Sequence, residues 1–235
     1  MKWLNKLKEI INPSIIEYFP GCLTMLKLKE IMNNYITIFN LIGIKVEILD
    51  LICCGLPARN AGLKDVTNTL IEKKRNQIKE YNVKYIITSC PSCYAFLNEN
   101  GFNVKHAVCV IHENLNKLKT KKLNMKASFH DPCHLGRYSN IYDEPRRILE
   151  KIGITLIEME HSKENSLCCG AGGGLINYNR ELARKIGIMR VKECKTENLV
   201  TCCPLCYLHL KDCVKIANLN IKVYEISELI LKSLK

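Results

Sequence analysis

Tyr85-Ile86-Ile87-Thr88-Ser89-Cys90-Pro91-Ser92-Cys93 and Leu199-Val200-Thr201-Cys202-Cys203-Pro204-Leu205-Cys206 are one phrase written twice, about 113 positions apart. Each is a short apolar run that ends on Cys-Pro-x-Cys. Such a run reads as a strand, with a helix beginning at the motif. Upstream of each phrase stands an adjacent pair followed by glycine, Cys53-Cys54-Gly55 and Cys168-Cys169-Gly170. Further upstream stands a single cysteine, Cys22 and Cys133. The gaps nearly match: 31 and 35 positions from the single cysteine to the pair, then 36 and 34 to the Cys-x-x-Cys. Ten of the 14 cysteines obey this scheme.

The segments between the cysteines repeat as well. Strands are predicted over 15–19, 44–49, 85–88 and 108–111 in the first half, and over 127–130, 154–159, 199–201 and 221–224 in the second. Helices are predicted over 24–42, 63–81 and a turn at 113–118, then over 144–152, 178–194, 206–217 and 227–234. Gly43 and Gly153 follow the first helix of each half. A lysine-rich stretch, 119–126, marks the boundary. Domains are therefore expected at 15–125 and 126–235, after an N-terminal amphipathic helix within 1–14 whose Trp3, Leu4, Leu7, Ile10 and Ile11 share one face. A period this long duplicates a whole domain and does not describe a solenoid. Alternating strands and helices imply parallel sheets. The fold class is α/β: two duplicated Rossmann-like domains with small parallel sheets. In such sheets the loops after the strand ends gather at one edge, where ligands sit. Every cysteine segment follows a strand, so each set of five thiols converges.

The totals narrow the class. The chain has 235 residues, 47% of them apolar, which suffices for a core. No run approaches the roughly 20 apolar residues of a membrane span, and the opening lacks the pattern of a secretory signal. The expected location is the cytoplasm, where structural disulfides are rare and dense cysteines bind metal or do redox chemistry. The net charge of +12 comes from scattered lysines with no nucleic-acid-binding motif, so it reads as a solvated surface suited to an acidic redox partner.

Structural zinc takes four ligands, commonly as two Cys-x-x-Cys knuckles. Each set here offers five thiols, including an adjacent pair that serves two irons of one cluster better than one ion. Iron–sulfur clusters accept thiolates from distant segments. Four ligands and a spare thiol, including one cluster plus zinc, is the alternative. Gly55 and Gly170 let the backbone pass close to a bulky inorganic group, and Pro91 and Pro204 stiffen the knuckles.

The arrangement resembles the cysteine-rich CCG domain family. Tyr18-Phe19-Pro20-Gly21-Cys22, His130-Asp131-Pro132-Cys133-His134 and Cys168-Cys169-Gly170-Ala171-Gly172-Gly173-Gly174 carry the likeness beyond the cysteines, and it covers about residues 15–230. The family includes the catalytic B subunit of heterodisulfide reductase and the iron–sulfur subunits of glycolate oxidase and anaerobic glycerol-3-phosphate dehydrogenase. The resemblance implies two facing noncubane [4Fe-4S] clusters, the halves related by a pseudo-twofold axis. Cys22, Cys53, Cys54, Cys90 and Cys93 would hold one, and Cys133, Cys168, Cys169, Cys203 and Cys206 the other. It also implies a small-molecule disulfide, of the CoM-S-S-CoB kind, as substrate. The alternative is an electron-transfer subunit of a flavin-dependent 2-hydroxy-acid or glycerol-3-phosphate dehydrogenase. No ferredoxin-type cysteine run is present, so a ferredoxin-like subunit or flavoprotein is the expected electron donor.

His130 and His134 flank Cys133 and are candidate proton donors. Cys109, Cys194, Cys202 and Cys213 fall outside the scheme and read as buried apolar residues, with Cys202 a candidate spare ligand. His106, His112, His161 and His209 read as structural or surface residues.

Overall fold

The computed structural model describes residues 13–234; the helix expected before Pro13 lies outside the described residues. The first half runs β1 (Ile15–Tyr18), α1 (Cys22–Lys27), α2 (Lys29–Leu41), α3 (Leu56–Asn60), α4 (Lys64–Glu80), β2 (Val83–Thr88), α5 (Pro91–Glu99), β3 (Val104–His106) and α6 (Ala107–Glu113). The second runs β4 (Met125–Phe129), α7 (Asp143–Lys151), β5 (Ile154–Leu156), α8 (Leu175–Tyr178), α9 (Arg180–Lys192), β6 (Asn198–Thr201), α10 (Pro204–Ile216), β7 (Lys222–Glu225) and α11 (Ile226–Leu234). Both sheets are parallel, ordered β1-β2-β3 and β5-β4-β6-β7.

The two sheets share one plan. The strand expected at 44–49 shrinks to a single parallel bridge between Glu17 and Glu47. Tyr18 N donates to Glu47 O at 2.8 Å, and Glu47 N donates to Ile16 O at 2.9 Å. The bridge occupies the place beside β1 that β5 occupies beside β4. Ile48 stays 38% exposed, so little burial rewards a longer ladder at this edge. The strand expected at 108–111 is instead helix α6, and the last strand of the first half lies at Val104–His106. A short, fully apolar run fits either element. Here the His106 side chain accepts from Val108 N at 3.4 Å and caps the helix. The helix expected over 24–42 breaks at Leu28, and that over 178–194 breaks at Asn179. The Asn179 side chain accepts from Leu182 N at 2.9 Å to start α9, the usual role of asparagine at an N-cap.

The halves pack reciprocally. Helix α6, which closes the first half, lies on α7 of the second, and α11, which closes the second, lies on α2 of the first. This exchange of equivalent helices relates the halves by a pseudo-twofold axis. One apolar core therefore runs through both, from Tyr18, Phe39 and Ile111 to Phe129, Ile148 and Leu229. A smaller core of Phe19, Leu56, Ile86, Phe96 and Phe102 fills the other face of the first sheet. Within the shared core, Tyr35 Oη donates to Glu225 Oε1 at 2.7 Å. The other carboxylate oxygen accepts from Ser227 N at 2.8 Å and from the Ser227 hydroxyl.

Burial pushes the Glu225 pKa up to about 7 against this hydrogen bonding. Its folded value therefore lies above its unfolded one, so the folded state holds the proton more tightly. Stability from this group is full below about pH 4.5 and declines as pH rises towards 7. We expect denaturant unfolding to show a loss on the order of 3 kcal/mol across that window. Glu225→Gln, which keeps an acceptor for Tyr35, should flatten the slope.

Candidate metal centres

All three cysteine segments of each half sit where a parallel strand ends. Cys22 opens α1 after β1, Cys53 and Cys54 follow the Glu47 bridge, and Cys90 caps α5 after β2. In the second half Cys133 follows β4, Cys168 and Cys169 follow β5, and Cys203 caps α10 after β6. Pro91 and Pro204 take the first helical position, where a missing N–H costs nothing. Cys93 and Cys206 thus lie in the first turns of α5 and α10, where the partial positive charge favours thiolates, while hydrogen bonds to neighbouring sulfurs, and then burial, push both thiols well up.

Each set of five thiols forms an unbroken row, in the same order. In the first, Cys22 and Cys54 donate to Cys53, Cys93 donates to Cys54, and Cys93 also meets Cys90. In the second, Cys133 and Cys169 donate to Cys168, and Cys206 meets both Cys169 and Cys203. The Cys206 to Cys169 sulfur distance is 3.2 Å. Hydrogen bonds from their neighbours push Cys53 and Cys168 down to about 2. Donation to Cys53 first, and burial after, push Cys54 up to about 12. Cys22 and Cys133 rise for the same reasons. No disulfide joins any of the 14 cysteines. Ten sulfurs in two rows, with the second of each, Cys53 and Cys168, held low by its neighbours, form a donor set fit for a soft, thiophilic metal group.

The glycine after each pair is required by the backbone. Gly170 has φ +89, and a Cβ there would stand 2.6 Å from the Ala183 carbonyl oxygen of α9. Its amide lies 3.4 Å from Cys168 Sγ. Gly55 has φ +101 and rests against the Phe96 ring.

The two histidines beside Cys133 separate. His134 Nδ1 is 3.5 Å from Cys133 Sγ, and its ring stacks on Tyr138 at 4.9 Å. His130 is fully buried. Arg190 Nε donates to its Nδ1 at 2.9 Å, and burial, reinforced by Arg190, pulls its pKa down to about 3. The cysteines outside the scheme lie outside both rows. Cys202 and Cys213 are core residues, Cys194 donates to Thr196 O, and burial raises Cys109 to about 12.

A cavity of about 540 Å³ opens beside the second row. Leu56, Arg59 and Phe96 of the first half line it, with Cys133, His134, Arg137 and Cys168 of the second. Arg59 lies 4.6 Å over the Phe96 ring and donates to Glu99 at 2.7 Å; Arg137 donates to Ser166 O. Burial lowers the His134 pKa, the Cys168 sulfur opposes, and Arg59 and Arg137 add to the fall. Neither arginine stands in a motif, so the sequence carries no signal for them. Only the packing of the two halves brings them to one cavity.

A family model described as the cysteine-rich domain, CCG, matches residues 16–98 and 127–211. The B subunit of the CoM/CoB fumarate reductase of Methanothermobacter marburgensis is 32% identical over 93% of this chain and 46% of its own length. The EtfAB:quinone oxidoreductase of Syntrophomonas wolfei is 31% identical over 99% of this chain and 37% of its own. The D subunit of the dihydromethanophenazine:CoB–CoM heterodisulfide reductase of Methanosarcina mazei is 28% identical over the full chain and 62% of its own. The chain thus spans less than two thirds of these relatives. A hypothetical protein from Helicobacter pylori shares the fold, with a TM-score of 0.63 over 94% of this chain and 49% of that one, at 13% identity.

Gly170→Ala should strain the second row alone. Metal analysis of anaerobically prepared protein should show one set emptied and the other filled. Gly172→Ala, which has open space at its Cβ position, should bind metal as the native chain does.

Proposed function

The chain belongs to the cysteine-rich CCG domain family, and from that membership we propose that it reduces a small-molecule disulfide with electrons from a partner subunit. Its relatives are iron–sulfur oxidoreductase subunits. Cys22, Cys53, Cys54, Cys90 and Cys93 hold one [4Fe-4S] cluster, and Cys133, Cys168, Cys169, Cys203 and Cys206 the other, each within its own domain. The cavity that opens on Cys133 and Cys168 carries the reading, since it offers a small molecule access to the second row.

Reducing a disulfide breaks one S–S bond, consumes two electrons and two protons, and releases two thiols. The clusters supply the electrons singly. The side chains do the rest. Arg59 and Arg137 would hold anionic substituents of the substrate, and Phe96 and Leu56 its apolar body. His134, neutral at pH 7 and in contact with Cys133, relays solvent protons to the departing sulfur. His130 has no access to the cavity and drops out as a donor to substrate. A ferredoxin-like subunit or a flavoprotein feeds the electrons.

Likeness to the EtfAB:quinone oxidoreductase favours a second reading, in which the chain only conducts electrons from a flavin dehydrogenase. Anaerobic protein with a reduced dye and a disulfide separates the two. Disulfide-dependent dye oxidation should fall on Cys169→Ser or Cys54→Ser, and by about 100-fold on His134→Gln. Clusters that cycle cleanly without turnover would leave the carrier reading standing. Zinc in place of iron would defeat both.

A further inference from the structure

The rows match, but their surroundings do not. Three positions before the single cysteine the first half has Phe19 and the second has His130. Both side chains are buried, and each meets a buried cation from the second helix after the Cys-Cys-Gly segment. Lys74 of α4 lies 4.8 Å over the Phe19 ring and pairs with Glu17 and Gln77. Arg190 of α9 meets His130 and pairs with Glu193 at 2.5 Å. Each half therefore sets one buried cation, paired with a carboxylate, against this ring; the second half also buries Arg146 against Asp131. At the ring itself the halves differ by a polar nitrogen, present in His130 and absent from Phe19.

The His130 nitrogens have fixed roles. Arginine only donates, so Nδ1 is the acceptor for Arg190 Nε and the ring proton sits on Nε2. The guanidinium is itself held, since Arg190 Nη1 also donates to His161 O at 2.7 Å, so the ring stays in this orientation. Nε2 is buried and has no hydrogen-bond partner among the described residues. A ring nitrogen of His130 lies within 4.8 Å of the sulfurs of both Cys169 and Cys206. With Nδ1 engaged, Nε2 is the nitrogen left for that set. It carries a proton, so it cannot ligate a metal without becoming an imidazolate, and it acts as a donor. A buried donor without an acceptor is costly, and a sulfur of a group held on this row would supply one.

We propose that His130 Nε2–H donates a hydrogen bond to a sulfur of the group held by Cys169 and Cys206, and that this sets the second cluster at a higher reduction potential than the first. The proposal rests on the cluster reading above. A hydrogen bond to a cluster sulfur stabilises the reduced, more negative state, and so raises the potential. Arg190 is a positioning residue, which fixes the tautomer. The row with the donor is also the row on the cavity, so electrons run downhill from the first set towards the substrate side.

The test uses the full chain, reconstituted anaerobically and titrated with a reductant while its electron paramagnetic resonance is followed. His130→Phe, which gives the second half the residue of the first, should keep the native iron content. One of the two midpoint potentials should move lower and the other stay. Arg190→Lys should move the same midpoint less. Native iron with both midpoints unmoved in His130→Phe overturns the proposal. So does loss of one cluster that His130→Cys restores, because His130 would then be a ligand. The His134→Gln protein labelled with ¹⁵N-histidine tests the contact with His130 in place. Pulsed resonance should show a weak nitrogen coupling; none, or the strong coupling of a bound nitrogen, overturns the proposal. A chain that takes up zinc and no iron defeats the cluster reading itself, and is distinguished from the other outcomes by metal analysis alone.

Discussion

Five sulfurs pressed into one row set the terms for everything around them. As thiols they fill the space of a small buried cluster, and as thiolates they repel. A protein that holds them without a disulfide must oppose both oxidation and charge. The parallel sheet does this by geometry. It returns the chain to one edge after every crossover, so ligands far apart in sequence meet on rigid supports. Helices α5 and α10 turn their positive ends to the same edge, and each half buries a cation, Lys74 or Arg190, behind it. These features act on a negative group that the folded chain is built to receive.

Duplication made the site, and divergence gave it direction. The order of contacts along the row is identical in the halves, down to the knuckle proline. Elsewhere the copies part. The first half gives up its edge strand to a single bridge at Glu47. It also places Arg59 where the second half has its run of glycines, Gly172 to Gly174. That exchange makes the cavity: small residues clear space beside Cys168, while the first half contributes a long cation to the same wall. A symmetric pair of domains thereby acquires one row, through Cys133 and Cys168, that lies on a cavity walled by both halves.

Much of this was legible in the chain, because it is written in features that survive without tertiary context. Cysteine spacing revealed the repeat, and the apolar runs before Cys90 and Cys203 revealed the strands that deliver them. What failed, failed for local reasons. The run at 108–111 is apolar on every side, and periodicity cannot tell a buried strand from a buried helix; the capping by His106 decides it. The edge at 44–49 has the alternation of a strand but too little burial to pair fully. Arg59, Arg137 and Arg190 were invisible, since an arginine becomes functional through what it faces. His130 was visible beside Cys133, yet its role turns on Arg190, sixty residues on, which fixes which nitrogen holds the proton.

The contact of Tyr35 with Glu225 joins these threads. It crosses between the halves inside the shared core, where a misplaced carboxylate would be left without partners. All four groups that meet there, Tyr35 Oη, both carboxylate oxygens and Ser227, are satisfied at one relative placement of the two halves. Apolar packing of α11 on α2 and of α6 on α7 would tolerate small sliding; this polar contact does not. The wall that brings Arg59 to the second row is built across the same boundary. A fixed docking of the halves is therefore a condition for the cavity as much as for the fold.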